Sequence, residues 1–133
     1  MKKLIILIFP LLVSCAAYDA ITMTKFDNQE YRQITEIRVD ASIYKNTCNN
    51  DGMSEVNATN LAYKTELYEK YSEELPHNDN GYKAAKSLNE IAQGLVARYK
   101  EDSKVPPLFC KLKFTNIENT AAVIAHVIGA RPR

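Results

Sequence analysis

The sequence predicts an all-α fold, a small four-helix bundle-like domain cross-linked by one disulfide. In three stretches the apolar residues recur at alternating spacings of three and four, which is the period of one helix face. Clusters of Asn, Asp, Gly and Pro separate the helical stretches. Cys48 ends the first apolar stripe and Cys110 begins the last. In an up-down-up-down bundle the first and fourth helices are antiparallel, so this order places the two cysteines side by side.

The first helix is predicted to begin at a capping box. Asp27 supplies a side-chain acceptor, and Glu30 follows three residues later. One apolar stripe follows at spacings of three and four: Ile34, Ile37, Ala41, Tyr44 and Cys48. A half-buried strand over residues 34–44 is the alternative, because apolar residues also alternate from Ile37 to Ile43. The cap and the length of the stripe favour the helix.

The second helix is predicted to run from Ser54, as its N-cap, to about Glu74. An Asn-Asn-Asp-Gly cluster at residues 49–52 precedes it as a turn. Pro76 ends it, because proline lacks a backbone donor and restricts the residue before it. The apolar residues of this helix cover more than one face: Val56, Leu61, Tyr63, Leu67, Tyr68 and Tyr71.

The third and fourth helices show the clearest periodicity. A second turn cluster at residues 78–81 precedes the third helix, with Asp79 or Asn80 as its expected cap. The apolar stripe of the third helix is Ala85, Leu88, Ala92, Leu95 and Tyr99. After a break at residues 102–107, the stripe of the fourth is Cys110, Phe114, Ile117, Ala121, Ile124 and Ile128. Gly129 is expected to end this helix in the left-handed conformation.

The first fifteen residues are typical of an export signal. Lys2 and Lys3 precede an apolar run at residues 4–13. This run is too short to cross a bilayer core, which needs ~20 helical residues. The next residues, Leu12-Val13-Ser14-Cys15, resemble the lipobox of bacterial lipoproteins, whose signal peptide is cleaved before a cysteine that becomes lipidated.

The lipobox resemblance implies three parts of the chain: a signal peptide (residues 1–14), a tether lipidated at Cys15 (residues 15–26) and a helical domain (residues 27–133). It also implies a lipid-anchored protein of the bacterial cell envelope. Ala16 is compatible with sorting to the outer membrane, so we expect the protein there, facing the periplasm.

With Cys15 assigned to lipid, Cys48 and Cys110 remain as a pair in an oxidising compartment, where a disulfide is the expected state. Closing a loop of this length contributes ~4 kcal/mol on the chain-entropy model. A metal site or a catalytic thiol is the alternative use of these cysteines. The sequence contains no CxxC or HExxH motif to support it.

The composition and motifs indicate a protein without catalytic chemistry. A net charge of +1, from 17 basic and 16 acidic side chains, argues against a nucleic-acid partner. His77 with Asp79 has the spacing of a base and its orienting group, but no motif marks a nucleophile for them. His126 lies off the main stripe of the last helix. We therefore expect no enzyme activity, no cofactor, no metal and no small-molecule substrate.

Aromatic and apolar residues of the second helix are the candidates for a protein-binding surface: Leu61, Tyr63, Leu67, Tyr68 and Tyr71. A four-helix domain needs one face of each helix for its core, so a second apolar face is available to a partner. Tyrosine suits such a surface because its ring is apolar and its hydroxyl can stay hydrated. The alternative is that these tyrosines edge the core.

The layout of the chain resembles the PulS/OutS-type pilotins of type II secretion systems. The features shared are the lipobox at Cys15, the helical domain, a cysteine after the first helix (residues 44–49) and another opening the last. The turn at residues 51–53 lacks an expected proline, and the chain has no tryptophan. The resemblance implies an adaptor that binds an amphipathic helix of a secretin and targets it to the outer membrane.

A different class of function is compatible with the same features. Periplasmic inhibitor or immunity lipoproteins, and those for superinfection or entry exclusion, are also small and disulfide-bonded. Such a protein would block a toxin, a hydrolase or a receptor. The sequence leaves both functions open.

Overall fold

A computed structural model describes residues 24–102 and 104–133. The expected signal peptide, Cys15 and most of the expected tether lie outside the described residues. The described part contains four α-helices: α1 (Asn28–Tyr44), α2 (Asp51–Glu74), α3 (Asp79–Glu101) and α4 (Pro107–Gly129). One short 3-10 helix, Lys45–Thr47, follows α1. The prediction of an all-α, four-helix fold is confirmed, and the strand alternative for residues 34–44 is wrong.

The four helices form a ring in which neighbours in sequence are neighbours in space. The most extensive packing is of α1 against α4 and of α2 against α3, and smaller α1–α2 and α3–α4 contacts close the ring. Cys48, just after α1, is disulfide-bonded to Cys110 in the first turn of α4, with their Cα atoms 5.8 Å apart. This confirms the predicted pairing and the antiparallel arrangement of α1 and α4.

The predicted stripes of α1, α3 and α4 form the core. Their members are buried, with the exception of the half-buried Tyr44: Ile34, Ile37, Ala41, Cys48, Ala85, Leu88, Ala92, Leu95, Tyr99, Cys110, Phe114, Ile117, Ala121, Ile124 and Ile128. Burial of such side chains is the main favourable contribution to folding, about 1.5–3 kcal/mol for each large aliphatic or aromatic residue.

The predicted capping box is half correct. Asp27 caps α1, because its Oδ1 accepts a hydrogen bond from the Glu30 backbone N–H at 2.7 Å. The Glu30 side chain does not return to the cap. It is fully buried and binds Arg131 and Asn78.

The predicted starts of α2 and α3 are corrected by the structure. Asn50 caps α2, accepting from the Met53 backbone N–H at 3.0 Å, so the helix begins at Asp51 and not after Ser54. Asn78, and not Asp79 or Asn80, is the residue before α3. In both clusters the asparagine ends the preceding segment and the following Asp already belongs to the helix. The physical reason is that an acidic residue in the first turn favours the helix dipole.

The predicted end of α4 is also wrong. Gly129 is still helical, and Ala130 follows with a right-handed φ of −86°. The described glycines have no positive φ. The chain instead continues in a right-handed turn, which brings the Pro132 carbonyl to the backbone N–H of Phe26 at 2.9 Å. This contact holds the two ends of the domain together.

Candidate partner-binding surface

The structure divides the five residues predicted to face a partner. Leu61 and Tyr68 are fully buried, so their assignment to a surface is wrong. Tyr63 and Leu67 are 66% and 48% exposed, and Tyr71 is half-buried. The phase of α2 explains the division, because its buried face includes small polar residues as well as apolar ones: Ser54, Ala58, Leu61, Ala62, Thr65, Tyr68 and Ser72.

Tyr63 and Leu67 belong to a longer exposed row on α2, which we call the α2 stripe. Its members are Met53, Val56, Tyr63 and Leu67. They are separated by three, seven and four residues, which keeps them on one side of the helix. Val56 is the most exposed, at 67%. The sequence contained the signal for this row, since Val56 lies seven residues before Tyr63.

Contacts with α1 fix one edge of the α2 stripe. Lys64 forms an ion pair with Asp40, and this hydrogen bond raises the pKa of Lys64. Asn60 Nδ2 donates to the Tyr44 hydroxyl at 2.6 Å. The Lys64–Asp40 contact is partly buried between α1 and α2, whereas the Asn60–Tyr44 hydrogen bond is exposed to solvent. The edge of the stripe nearest α1 is therefore ordered and close to electrically neutral.

Tyr71 has a structural role at the end of this edge. Its hydroxyl donates to Asp27 Oδ1 at 3.0 Å, the same oxygen that caps α1. Burial, and then the hydrogen bond to Asp27, raise the pKa of Tyr71. The tyrosine therefore joins the last turns of α2 to the first turn of α1.

The helix that carries the stripe is acidic. It contains six carboxylates and two lysines, a net charge of −4. Lys64 is paired with Asp40, and Lys70 lies 3.8 Å from Glu73 in an exposed contact. Surface pairs of this kind neutralise charge but contribute little stability.

A polar cluster, which we call the end cluster, is buried where the start of α1 meets the start of α3 and the segment after α4. It consists of Glu30, Asn78 and Arg131. Glu30 and Arg131 form an ion pair, and the Arg131 Nη2 donates to Asn78 Oδ1 at 2.9 Å. Asn78 Nδ2 donates to Glu30 Oε1 at 3.3 Å and to the Ser72 carbonyl at 3.0 Å. Burial, and then the charge of Glu30, raise the pKa of the neighbouring Tyr68.

A shallow, open depression of about 430 Å³ lies between α1 and α4. It is lined by Tyr31, Arg38, Ala122, Ala125, His126, Gly129 and Ala130. His126 is exposed here, and His77 lies in the α2–α3 turn.

The described residues contain no cluster of three or more His, Cys, Asp or Glu side chains suited to a metal. No helix among them is long and apolar enough to span a membrane.

Comparisons with protein-family models, with curated proteins and with solved structures found no match to this chain.

Proposed function

We propose that this chain is a non-enzymatic, lipid-anchored adaptor of the bacterial cell envelope that binds an amphipathic helix of a protein partner on the α2 stripe. The proposed adaptor is similar to a pilotin. Its partner would be a secretin, which it would target to the outer membrane. The observation that carries it is the row of exposed apolar side chains on α2. An isolated exposed apolar residue needs no explanation, whereas an aligned row indicates an interaction surface.

The dimensions of the stripe fit a helical partner. Met53 and Leu67 are fourteen positions apart, which corresponds to about 21 Å along a helix at 1.5 Å per residue. A partner helix of about four turns would match this length. Apolar anchors at i, i+3, i+4 and i+7 on such a helix are the usual means of recognition by a helical surface.

The domain presents this surface in an ordered form. The Cys48–Cys110 disulfide fixes one end of the bundle, and the end cluster fixes the other. Lys64 and Asn60 hold one edge of the stripe against α1. A surface that is already ordered loses less conformational entropy on binding, which favours affinity.

The proposed lipid anchor would place the end cluster toward the membrane. Cys15 and Thr24 are nine positions apart, a reach of at most ~32 Å when extended. The Thr24 hydroxyl donates to the His77 carbonyl in the α2–α3 turn, so the described chain starts at that end of the bundle. Leu67 then lies nearer the anchor than Val56, and the stripe runs away from the membrane.

Two valines of nearly equal exposure provide a matched test. Val56 on α2 is 67% exposed and Val123 on α4 is 65% exposed. Calorimetric titration of the mature domain with amphipathic peptides from candidate secretins should give measurable affinity. We expect Val56→Asp to weaken it about tenfold, which is ~1.4 kcal/mol, and Val123→Asp to leave it unchanged. Equal effects of the two substitutions would contradict the proposal.

A second candidate function, inhibition or immunity, is favoured by an apolar patch on α4 at the disulfide end of the domain. Leu108 and Leu112 are 69% and 54% exposed in the first turns of α4. Cys110 lies between them, so the disulfide holds this patch in place. Protection of cells from a co-expressed toxin that is lost with Leu108→Asp, and kept with Val56→Asp, would support this function in place of the adaptor.

A further inference from the structure

We infer that the partner helix carries basic side chains along one edge of its apolar face, the edge that lies against the α3 side of the α2 stripe. This inference rests on the proposed function and adds the charge and the orientation of the partner. It follows from the unequal charge of the two edges of the stripe.

The edge toward α3 carries a row of exposed carboxylates. Glu55, Glu66 and Glu73 are separated by eleven and seven residues, three and two helical turns, so they share one side of α2. Glu73 has only the long contact with Lys70, at 3.8 Å. We call these three residues the acidic edge.

A fourth carboxylate near this edge is already engaged. Glu69 Oε2 accepts from Asn89 Nδ2 at 2.6 Å, and Asn89 Oδ1 in turn accepts from the Thr65 hydroxyl. This network joins α2 to α3. Glu69 is therefore a structural residue, and the acidic edge is limited to Glu55, Glu66 and Glu73.

The opposite edge offers no comparable charge. On the α1 side Asp40 is neutralised by Lys64, and Glu36 is in contact with Arg32 at 3.4 Å. A partner helix with cations on both sides of its apolar face would thus find carboxylates on one side only. Charges across an interface determine register and partner choice more than raw affinity, so the asymmetry selects one orientation of the partner.

The neighbouring α3 does not cancel the acidic edge. Its sequence has four basic and three acidic side chains, so it adds a net charge of +1 to the −4 of α2. Among the described residues, neither Lys86 nor Lys100 of α3 is within ion-pair distance of a carboxylate. The two helices together keep a net charge of −3.

The same charge argues against other occupants. Anionic lipid and nucleic acid would be repelled by the acidic edge. A second copy of this chain is the remaining rival, because α4 exposes Leu108, Leu112, Val123 and Val127 and contains Lys111 and Lys113. A separate protein helix is favoured because an α2-to-α4 contact between copies is head-to-tail, and such contacts form open filaments unless they close into a ring.

The test compares three designed helical peptides with one apolar face. The first has Lys at three positions on one edge, the second has Glu at those positions, and the third has Lys on the opposite edge. Each is titrated into the mature domain at low and high salt. Exposed ion pairs contribute a factor of about two each, so we expect the best Lys peptide to bind about eightfold more tightly than the Glu peptide. The difference should shrink in high salt.

Matched variants assign the effect to the acidic edge. In the double variant Glu66→Gln with Glu73→Gln, the Lys peptide should bind only about twofold more tightly than the Glu peptide. Glu55 is then the one remaining carboxylate of the acidic edge. Glu90→Gln with Glu101→Gln removes two carboxylates from the outer face of α3 and should leave the preference unchanged.

The outcomes separate the inference from the proposed function. Equal binding of the Lys and Glu peptides, with Val56→Asp weakening both, overturns the charge inference and leaves the adaptor function standing. No binding of any peptide overturns both. Concentration-dependent self-association in sedimentation that Val56→Asp abolishes identifies a second copy as the occupant and also overturns the inference.

Discussion

Glu30 and Arg131 are 101 residues apart in the chain and form an ion pair in the interior of one end of the bundle. Their side chains are 0% and 9% exposed. Asn78 contacts both, so the start of α1, the start of α3 and the segment after α4 meet at one point. A buried carboxylate is tolerated only when it is paired and hydrogen-bonded, and this arrangement supplies both.

Removal of Arg131 should therefore strongly destabilise the domain. Arg131→Leu leaves the carboxylate of Glu30 buried without its partner, and we expect a loss of about 3–5 kcal/mol in the free energy of unfolding. Urea denaturation followed by circular dichroism measures this. The double variant Glu30→Gln with Arg131→Leu should recover part of the loss, because no charge is then buried. A single-variant loss below about 1 kcal/mol would show that the pair is not shielded from water.

Gly81 and Gly94 of α3 should respond oppositely to alanine. A Cβ at Gly81 would lie 2.1 Å from Asn78 Oδ1, so Gly81→Ala should displace the Asn78 side chain from the end cluster. We expect a net loss of about 1–3 kcal/mol from its broken hydrogen bonds. A Cβ at Gly94 meets nothing within 4 Å. Gly94→Ala should stabilise the domain by about 0.5–1 kcal/mol. Equal effects in thermal unfolding would refute this account.

The disulfide should contribute to stability without being required for the helices. Replacing both Cys48 and Cys110 with Ala should lower the free energy of unfolding by about 2–4 kcal/mol, because the unfolded chain regains the freedom of the long loop. The far-ultraviolet spectrum should remain helical. Mass spectrometry of the unreduced protein should show the Cys48–Cys110 cross-linked peptide, and two free thiols at these positions would contradict the structure.

The contact between Lys45 and Glu118 should make stability depend on acidic pH. Lys45 Nζ donates to Glu118 Oε2 at 2.6 Å, and this bond lowers the pKa of Glu118 from its ordinary value of 4.5. A carboxyl whose pKa is lower in the folded state stabilises the fold above its unfolded pKa. That contribution, at most ~1 kcal/mol, is lost as the pH falls through the lowered value. Urea titrations from pH 7 downward should show a smaller decline for Glu118→Gln than for the wild type.

Alanine substitutions at Tyr63 and Tyr68 should have different effects, the first on partner binding and the second on folding stability. Tyr63 is 66% exposed, so Tyr63→Ala should change the free energy of unfolding by no more than about 0.5 kcal/mol while it weakens partner binding. Tyr68 is fully buried, and Tyr68→Ala should cost about 3–5 kcal/mol in folding. Thermal denaturation and peptide titration of both variants measure the two effects. Unchanged peptide affinity for Tyr63→Ala would remove this residue from the proposed surface.

The sequence by itself determined the helix content, the core residues that α1, α3 and α4 contribute, and the disulfide. The stripes of α1, α3 and α4 were visible because their apolar residues repeat with the helical period, and that period is a local property of the chain. The cysteine pairing followed from the order of the helices, since Cys48 and Cys110 stand where α1 and α4 must meet. The starts of α2 and α3 did not follow from the sequence, because several adjacent Asn and Asp side chains can serve as caps.

Only the tertiary structure decided which face of α2 is buried and where the polar residues go. Ser54 and Thr65 are buried because Tyr99 and Asn89 of α3 supply hydrogen-bond partners for them, which no local pattern indicates. Glu30 has the sequence position of a capping residue, yet Arg131 draws its carboxylate inward from the far end of the chain. Contacts between residues so distant in sequence depend on how the helices pack. The same packing leaves Val56, Tyr63 and Leu67 exposed on the surface of α2.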